Sequence, residues 1–547
     1  MTNPSASWRR RGIVLPIVSA VVACIGIGLS GGHLNLHLSK AFYMHDDSVV
    51  TDITVIFCPT TTPCADPAIN SKAWHRLDKD LYLRQSGLQS AWLYTERKRR
   101  GQLTRDDKVL MDIVAGELEP GEEWERRPSG FWIQRKRTSK VKASSEAFIT
   151  EVDILFGTDA VDPRPNWVLT EKSLNLATGG ETPVTRLSIR HGTLRSIASH
   201  PRPSLTFRSD GNFKIVQIAD IHGSTGPGFC RDAVDAQGSP LPEVDADSRT
   251  IEFVSHILDD EQPDLVVLGG DNVHFTALDT KSTILKFVAP MIERGIPYAA
   301  IFGNHDDSGR DSLSRKEQMA LFQSLPYSLS EPGPEHVDGV GNYHIRIKGR
   351  PDTQDIPLDL LFMDTHNVIP AEGYVYDSIK PSQIDWLRST MRRLKNLETS
   401  NKAPLSLLFI HIPIPEYDDS GFTIAGGQKH EAVCSPPRDN SIFYDTLVHA
   451  GVSALSCGHD HVNDYCAVKQ SRNGNTILGP WLCYGGGSGF GAYGGHGWYH
   501  RRARVFEVDS SASRIVTWKR VEYHDDDHNK KVDELTLVDG GEIVGPS

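Results

Sequence analysis

From about residue 210 to 460 the chain alternates short apolar runs with stretches of helical period. The runs are Phe213 to Ile218, Leu265 to Leu268, Tyr298 to Phe302, Leu358 to Met363, Leu405 to Ile410 and Val452 to Leu455. Short continuous apolar runs that stop at polar or glycine-rich positions read as buried strands. Between them Ile251, Val254, Ile257 and Leu258, then Ile284, Leu285, Val288 and Ile292, recur at helical spacing. Ser314 followed by Glu317 forms a capping box that opens another helix, burying Met319, Phe322 and Leu325. Strands alternating with amphipathic helices predict an α/β sandwich domain, which we bound at residues 206–524.

The preceding stretch, 33–205, has a different texture. Aromatics are scattered among polar residues in Trp74 to Leu83 and Phe131 to Gln134, and Val152 to Phe156 reads as a strand. This predicts a mainly β accessory domain without a catalytic constellation. Its basic clusters, Arg97 to Arg100 and Arg135 to Arg137, read as solvated loops before phosphate contacts. Ser199 to Ser204 holds two prolines and reads as a linker. Residues 525–547 read as a polar, flexible tail.

Residues 13–29 are uncharged and follow Arg9-Arg10-Arg11. As a helix they would measure roughly 25 Å, near the lower limit for spanning a bilayer. Segment 1–32 is therefore expected to be a signal anchor in preference to a cleaved signal peptide. The expected placement is a catalytic domain on the lumenal or extracytoplasmic side, secreted if the segment is cleaved. Against this, no Asn-x-Ser/Thr sequon follows.

The net charge of -12 argues against a nucleic-acid partner, since phosphate backbones call for a basic face. A phosphorylated ligand must then be attracted locally, by metal ions. Eight cysteines are too few for a disulfide scaffold. Cys58 and Cys64 could pair across a short loop in an oxidising compartment, whereas Cys457, Cys466 and Cys483 read as free, buried thiols.

The candidate chemistry sits where the strands stop. In order, the ends carry Asp220-Ile221-His222, Gly270-Asp271-Asn272, Gly303-Asn304-His305-Asp306, His411 and Gly458-His459-Asp460-His461. Aligned strands end on one edge of a sheet, so these groups can converge. An oxygen and nitrogen donor set without cysteine suits Mn, Fe or Zn, and it exceeds the need of one tetrahedral ion. Asp364-Thr365-His366 ends a strand in the same style but reads as structural.

This order of motifs resembles the calcineurin-like metallophosphoesterase superfamily over roughly residues 210 to 520. More narrowly it resembles the purple-acid-phosphatase-related branch, of the fungal cell-cycle dosage regulator phosphatase type. Lys79 to Leu83, Ser314-Arg315, Val337 to Tyr343, Gly458 to Asp464 and Cys483 to Gly487 carry the finer match. The resemblance implies a four-layer α/β/β/α sandwich. It also implies one metal on Asp220, His222, Asp271 and His461, and a second on Asp271, Asn304, His411 and His459. His305 would be the unligated proton donor, with Asp306 orienting it. The implied activity is hydrolysis of phosphate monoesters by a metal-bridging hydroxide; a phosphodiesterase using the same metals, or a silent membrane-anchored binding module, are the alternatives. Purple acid phosphatases carry a tyrosine three residues after the bridging aspartate and lack the first-motif histidine. Here those positions are His274 and His222, so no purple tyrosinate–iron colour is expected. The glycine-rich run from Cys483 to His496 lacks the Lys-Ser/Thr of a phosphate-binding loop. It reads as a tight loop beside the site, either purely structural or with Tyr484 or His496 touching substrate.

Overall fold

A computed structural model describes residues 47–546 apart from 61–63, 65–72, 84–85, 118–120, 122, 142–146, 177–183, 193–202, 351–352, 354, 370–372, 374, 398–404, 439–440, 472–476, 496 and 524–530. Two seven-stranded sheets form its centre. The first runs in the order Tyr298–Ile301, Leu265–Gly269, Asn212–Ile218, Arg502–Asp509, Arg514–Val521, Val532–Asp539, Glu542–Ile543. The second runs Tyr343–Ile347, Leu358–Phe362, Leu405–Phe409, Ala454–Cys457, Trp481–Tyr484, Cys466–Lys469, Phe422–Ala425.

Side chains alternate across a strand, and this period of two builds the layers. Phe213 and Ile215 point into a core shared with Val267, Phe362, Phe409 and Phe506, which lies between the sheets. Val216 and Ile218 point the other way, onto helices Ala246–Glu261, Thr280–Arg294 and Arg315–Ser324. On the far side Leu361 and Leu408 meet helices Pro381–Asn396 and Ser441–Ala450. The result is the expected α/β/β/α sandwich. The capping box forms as predicted, the Ser314 side chain accepting from the Glu317 amide. Gln217 ties the sheets together just before the strand end, donating to the Cys457 carbonyl at 3.2 Å and accepting from the Ser456 hydroxyl.

The accessory region is built of three antiparallel sheets of three strands each. They are Ser48–Pro59 with Gln89–Arg99 and Trp74–Asp80, Lys108–Ala115 with Phe131–Arg137 and Trp124–Arg127, and Ile149–Phe156 with Thr185–His191 and Trp167–Leu169. All three bury residues in one core that includes Ile53, Leu93, Ile113, Ile133, Ile154 and Leu187. In each first strand the register shifts at the same place, Val50/Asp52, Leu110/Asp112 and Ile149/Glu151. A bulge just before an acidic residue, repeated three times, marks an internal repeat that the pattern of residues does not announce. The region docks on helix Thr280–Arg294: Lys79 pairs with Asp279 at 2.8 Å, Lys286 with Asp159 at 2.7 Å, and Lys281 with Asp153.

Four expectations are corrected. Among the described residues no helix is long and apolar enough to cross a membrane, and residues 13–29 lie outside them, so the anchored, extracytoplasmic placement is withdrawn. The tail is not simply flexible, because Val532–Asp539 pairs with Arg514–Val521 and buries Leu537 and Val538; its alternating apolar residues were masked by acidic neighbours. Cys466 and Cys483, opposite each other on paired strands, form a disulfide, while Cys457 is free and buried and Cys58 pairs with Cys64. The basic clusters lie largely in strands and meet acids, Lys98 with Asp107 and Arg135 with Asp52 and Glu125. The linker 199–204 lies mostly outside the described residues.

Candidate metal centre

The three parallel strands of the first sheet end in register, Ile218 beside Leu268 and Gly269 beside Ile301. In the second sheet Phe362, Phe409 and Ser456 align likewise. Beyond each end the backbone must turn sharply to aim a side chain at the common edge. Asp220, His222, Asp271 and His459 do so with φ of 56°, 49°, 50° and 76°, a left-handed conformation that costs a non-glycine residue about 1–3 kcal/mol. Four such residues at one edge mark a site held in place by its surroundings. Gly303 is required by closeness: a Cβ there would lie 2.2 Å from Asp271 Oδ1 and 2.6 Å from His411 Nε2.

The side chains converge around Asp271. Its Oδ2 lies 3.5 Å from His222 Nε2 and 3.3 Å from His411 Nε2, and Asp220 Oδ1 lies 3.6 Å from His461 Nε2. One ligand atom from each of Asp220, His222, Asp271 and His461 falls within 4.8 Å of the others, as does one from each of Asp271, His411 and His459. The two groups share Asp271. His411 Nδ1 faces the Gly269 carbonyl at 2.9 Å, which as a donated hydrogen bond leaves the Nε2 lone pair pointing inward.

The electrostatics call for cations. Asp220 and Asp271 are fully buried. Burial pushes Asp220 well above the usual carboxylate range, and Asp271 adds to it. Burial depresses His411, but Asp271 and Asp220 overcome it and raise the imidazole to about 9. Burial takes His222 and His459 down to about 3, so both are neutral and able to ligate. Asn304 Oδ1 and His411 Nε2 are buried without a hydrogen-bond partner. Unpaired buried polar atoms of this kind are costly, and a cation, displacing the proton from His411, is the partner that suits this donor set.

Residues 213–463 match the family described as calcineurin-like phosphoesterase. The chain is 34% identical over 377 residues to probable inactive purple acid phosphatase 28 of Arabidopsis thaliana, covering 64% of this chain and 90% of that protein. The chain belongs to the calcineurin-like phosphoesterase family. Within that family it is also 35% identical over 391 residues to phosphatase DCR2 of Saccharomyces cerevisiae, a match covering 69% of this chain and 64% of the yeast protein; it thus spans less than two thirds of that relative. Among solved structures, purple acid phosphatase PPD1 of yellow lupin aligns over 90% of each chain with 10% identity and a TM-score of 0.37.

At this calcineurin-like centre six of the expected ligands, Asp220, His222, Asp271, His411, His459 and His461, bring donor atoms together, while Asn304, just past strand Tyr298–Ile301, has a buried Oδ1 without a partner. His305 is half-buried, its ring 5.1 Å from that of His222 and its backbone N–H donating to Asp271 Oδ1 at 2.8 Å. Asp306 does not orient it. The Asp306 carboxylate instead accepts from the backbone amides of Gly303 (2.7 Å), Val273 (2.9 Å) and Asp271 (3.0 Å), clamping two ligand loops together. Asp364 ion-pairs with Arg315, whose guanidinium also donates to the Gly303 carbonyl at 2.7 Å, and His366 faces Gln383 at 2.7 Å; both are structural. The glycine-rich run packs its backbone on the first ligand loop, Gly489 donating to the Asp220 carbonyl at 3.1 Å, and a Cβ at Gly489 would lie 1.9 Å from the Ile221 carbonyl oxygen. Tyr484 is buried against Asp460 and cannot touch substrate, and His496 lies outside the described residues. Sequence reasoning missed Phe275, Tyr376 and Tyr493, which pack on His274, His459 and His461. Single aromatics in irregular loops give no periodic signal.

Proposed function

We propose that the chain is a metal-dependent phosphatase acting on phosphate monoesters. Its two cations would be held by Asp220, His222, Asp271 and His461 on one side, and by Asp271, Asn304, His411 and His459 on the other. The carrying observation is the pair of donor groups that intersect at Asp271, with the unpartnered Asn304 Oδ1 and His411 Nε2 beside them. Paired cations of the Mn, Fe or Zn type would activate a water and neutralise the phosphoryl oxygens.

The chain's own residues do the rest. Asp271 is the shared carboxylate, and its second oxygen anchors the backbone of His305 at 2.8 Å. The Gly269 carbonyl fixes the tautomer of His411. His305, which lies outside both donor groups, delivers a proton from its ring N–H to the leaving oxygen. Asp306 holds the loops of Asp271 and Asn304 at a fixed spacing.

Hydrolysis of p-nitrophenyl phosphate and of its bis-ester, with Mn2+ and after chelation, tests this reading. Chelator-sensitive turnover of the monoester is expected. Faster turnover of the diester would reassign the site as a phosphodiesterase. No turnover of either with metal demonstrably bound would make the chain a binding module, in keeping with the word inactive in the name of its plant relative.

A further inference from the structure

Three aromatic side chains pack on imidazoles of the centre while leaving surface open. Phe275 stacks on His274 with 4.3 Å between ring centroids and lies 5.3 Å from the His305 ring. Tyr376 meets His459 edge-on at 4.7 Å, and Tyr493 stacks on His461 at 3.9 Å. Phe275 is 42% exposed and Tyr493 38%, and Tyr376 is half-buried. Rings needed only to brace the imidazoles would gain most by being covered; these keep area free at the mouth of the site.

The orientation of Tyr493 is fixed. The Tyr493 hydroxyl is held by both Glu431 oxygens, at 2.8 and 2.9 Å. Phe275 sits in the loop that carries Asp271, four residues on, so its place relative to the centre follows the backbone. An ester oxygen set beside His305 would bring the next atoms of the leaving group within reach of the Phe275 ring, whose centroid lies 5.3 Å from that of His305. A sugar or glycerol at that position would be better served by hydrogen-bonding groups; ring surface serves a planar, apolar group.

Building on the phosphatase reading above, we infer that the substrate is an aryl phosphate, its phosphoryl group carried on a phenolic oxygen and its ring received on the Phe275 side of the centre, with Tyr376 and Tyr493 as the open rings beside the ligands His459 and His461. A free aryl ester and a phosphotyrosyl side chain share this chemistry.

The test uses inert phosphonates, so that binding is read without turnover. Calorimetry on the full-length, Mn2+-loaded protein compares phenylphosphonate with cyclohexylphosphonate, alike in size but not planar. Phenylphosphonate is expected to bind at least about fivefold more tightly. Phe275→Ala and Tyr376→Ala should each reduce that ratio by about 2- to 10-fold, with Phe275→Tyr retaining it. Equal affinity for the two ligands, or a ratio unmoved by Phe275→Ala, overturns the inference while leaving the phosphatase reading intact. Failure of either phosphonate to bind, together with no hydrolysis of phenyl phosphate, overturns that reading and the inference with it. A peptide carrying phosphonomethyl-phenylalanine separates the sources: tighter binding than phenylphosphonate assigns the ring to a polypeptide, weaker binding to a small aryl ester.

Discussion

Replacing Asp306 by Asn tests the reassignment of this residue from orienter of His305 to clamp of the ligand loops. The change is nearly isosteric, so its effect is one of hydrogen bonding. In the wild type two oxygens accept from three buried amides at 2.7, 2.9 and 3.0 Å. An asparagine can turn its oxygen toward Gly303 and Asp271, but then its NH2 faces the Val273 N–H, donor against donor. One orphaned buried amide costs about 1–3 kcal/mol, and the other two bonds lose their charge-assisted part. Burial and the Asp271 charge push the Asp306 carboxyl upward against the pull of its amides, so removing the charge returns part of the loss. A net local cost of about 2–3 kcal/mol follows, or roughly 30- to 150-fold in an opening equilibrium. Hydrogen exchange of the metal-free protein at pH 8 should show that acceleration in peptides covering 269–273 and 300–304, with the sheet interiors unchanged. If protection is the same in Asp306→Asn, and only the pH–rate profile moves, Asp306 serves His305 and the clamp is wrong.

Three further outcomes are expected. His305→Ala should lower turnover of alkyl or phenyl phosphates by about 10²–10⁴-fold but that of p-nitrophenyl phosphate far less, since a good leaving group needs no proton; equal losses would remove the acid role. Asp153 is pulled well below the usual carboxylate range, Lys281, Arg164 and Lys79 overcoming its burial, so its contribution to docking is complete above about pH 4 and lost on further acidification. Asp153→Asn, which leaves the half-buried cations Lys281 and Arg164 without their shared carboxylate, should loosen helix Thr280–Arg294 to limited proteolysis at pH 7 and abolish that acid dependence. Exchanging Cys466 and Cys483 for Ser, which opens a loop of sequence separation 17, should cost about 3 kcal/mol by denaturant titration, and an unchanged midpoint would contradict a formed bond.

The strands of the sandwich were legible because their apolar runs are short, continuous and cut off by glycine or acid, and the candidate ligands were legible because they sit just past those cuts. What sequence could not supply is direction. Asp306 follows His305, and adjacency suggested a dyad; yet the loop turns its carboxylate back toward the strand ends, where three amides wait. Cys466 and Cys483 looked like buried thiols because pairing depends on two strands, Cys466–Lys469 and Trp481–Tyr484, meeting in one register. Val532–Asp539 hid behind its acidic residues, its Leu537 and Val538 having meaning only beside Arg514–Val521. The threefold bulge of the accessory region escaped because it is a repeat of geometry more than of letters.

Each donor group draws on both sheets: Asp220, His222, Asp271 and Asn304 follow strands of the first, and His411, His459 and His461 follow strands of the second. The fit of the ligands within each group therefore depends on the spacing between the layers, and that is set by how thick the apolar filling is. Phe409 of one sheet meets Phe506 of the other with 6.0 Å between ring centroids. The core thus acts as a gauge block for the edge, so that trimming Phe506 to Leu, far from any candidate ligand, would register as a change in metal affinity before it registered as a loss of fold.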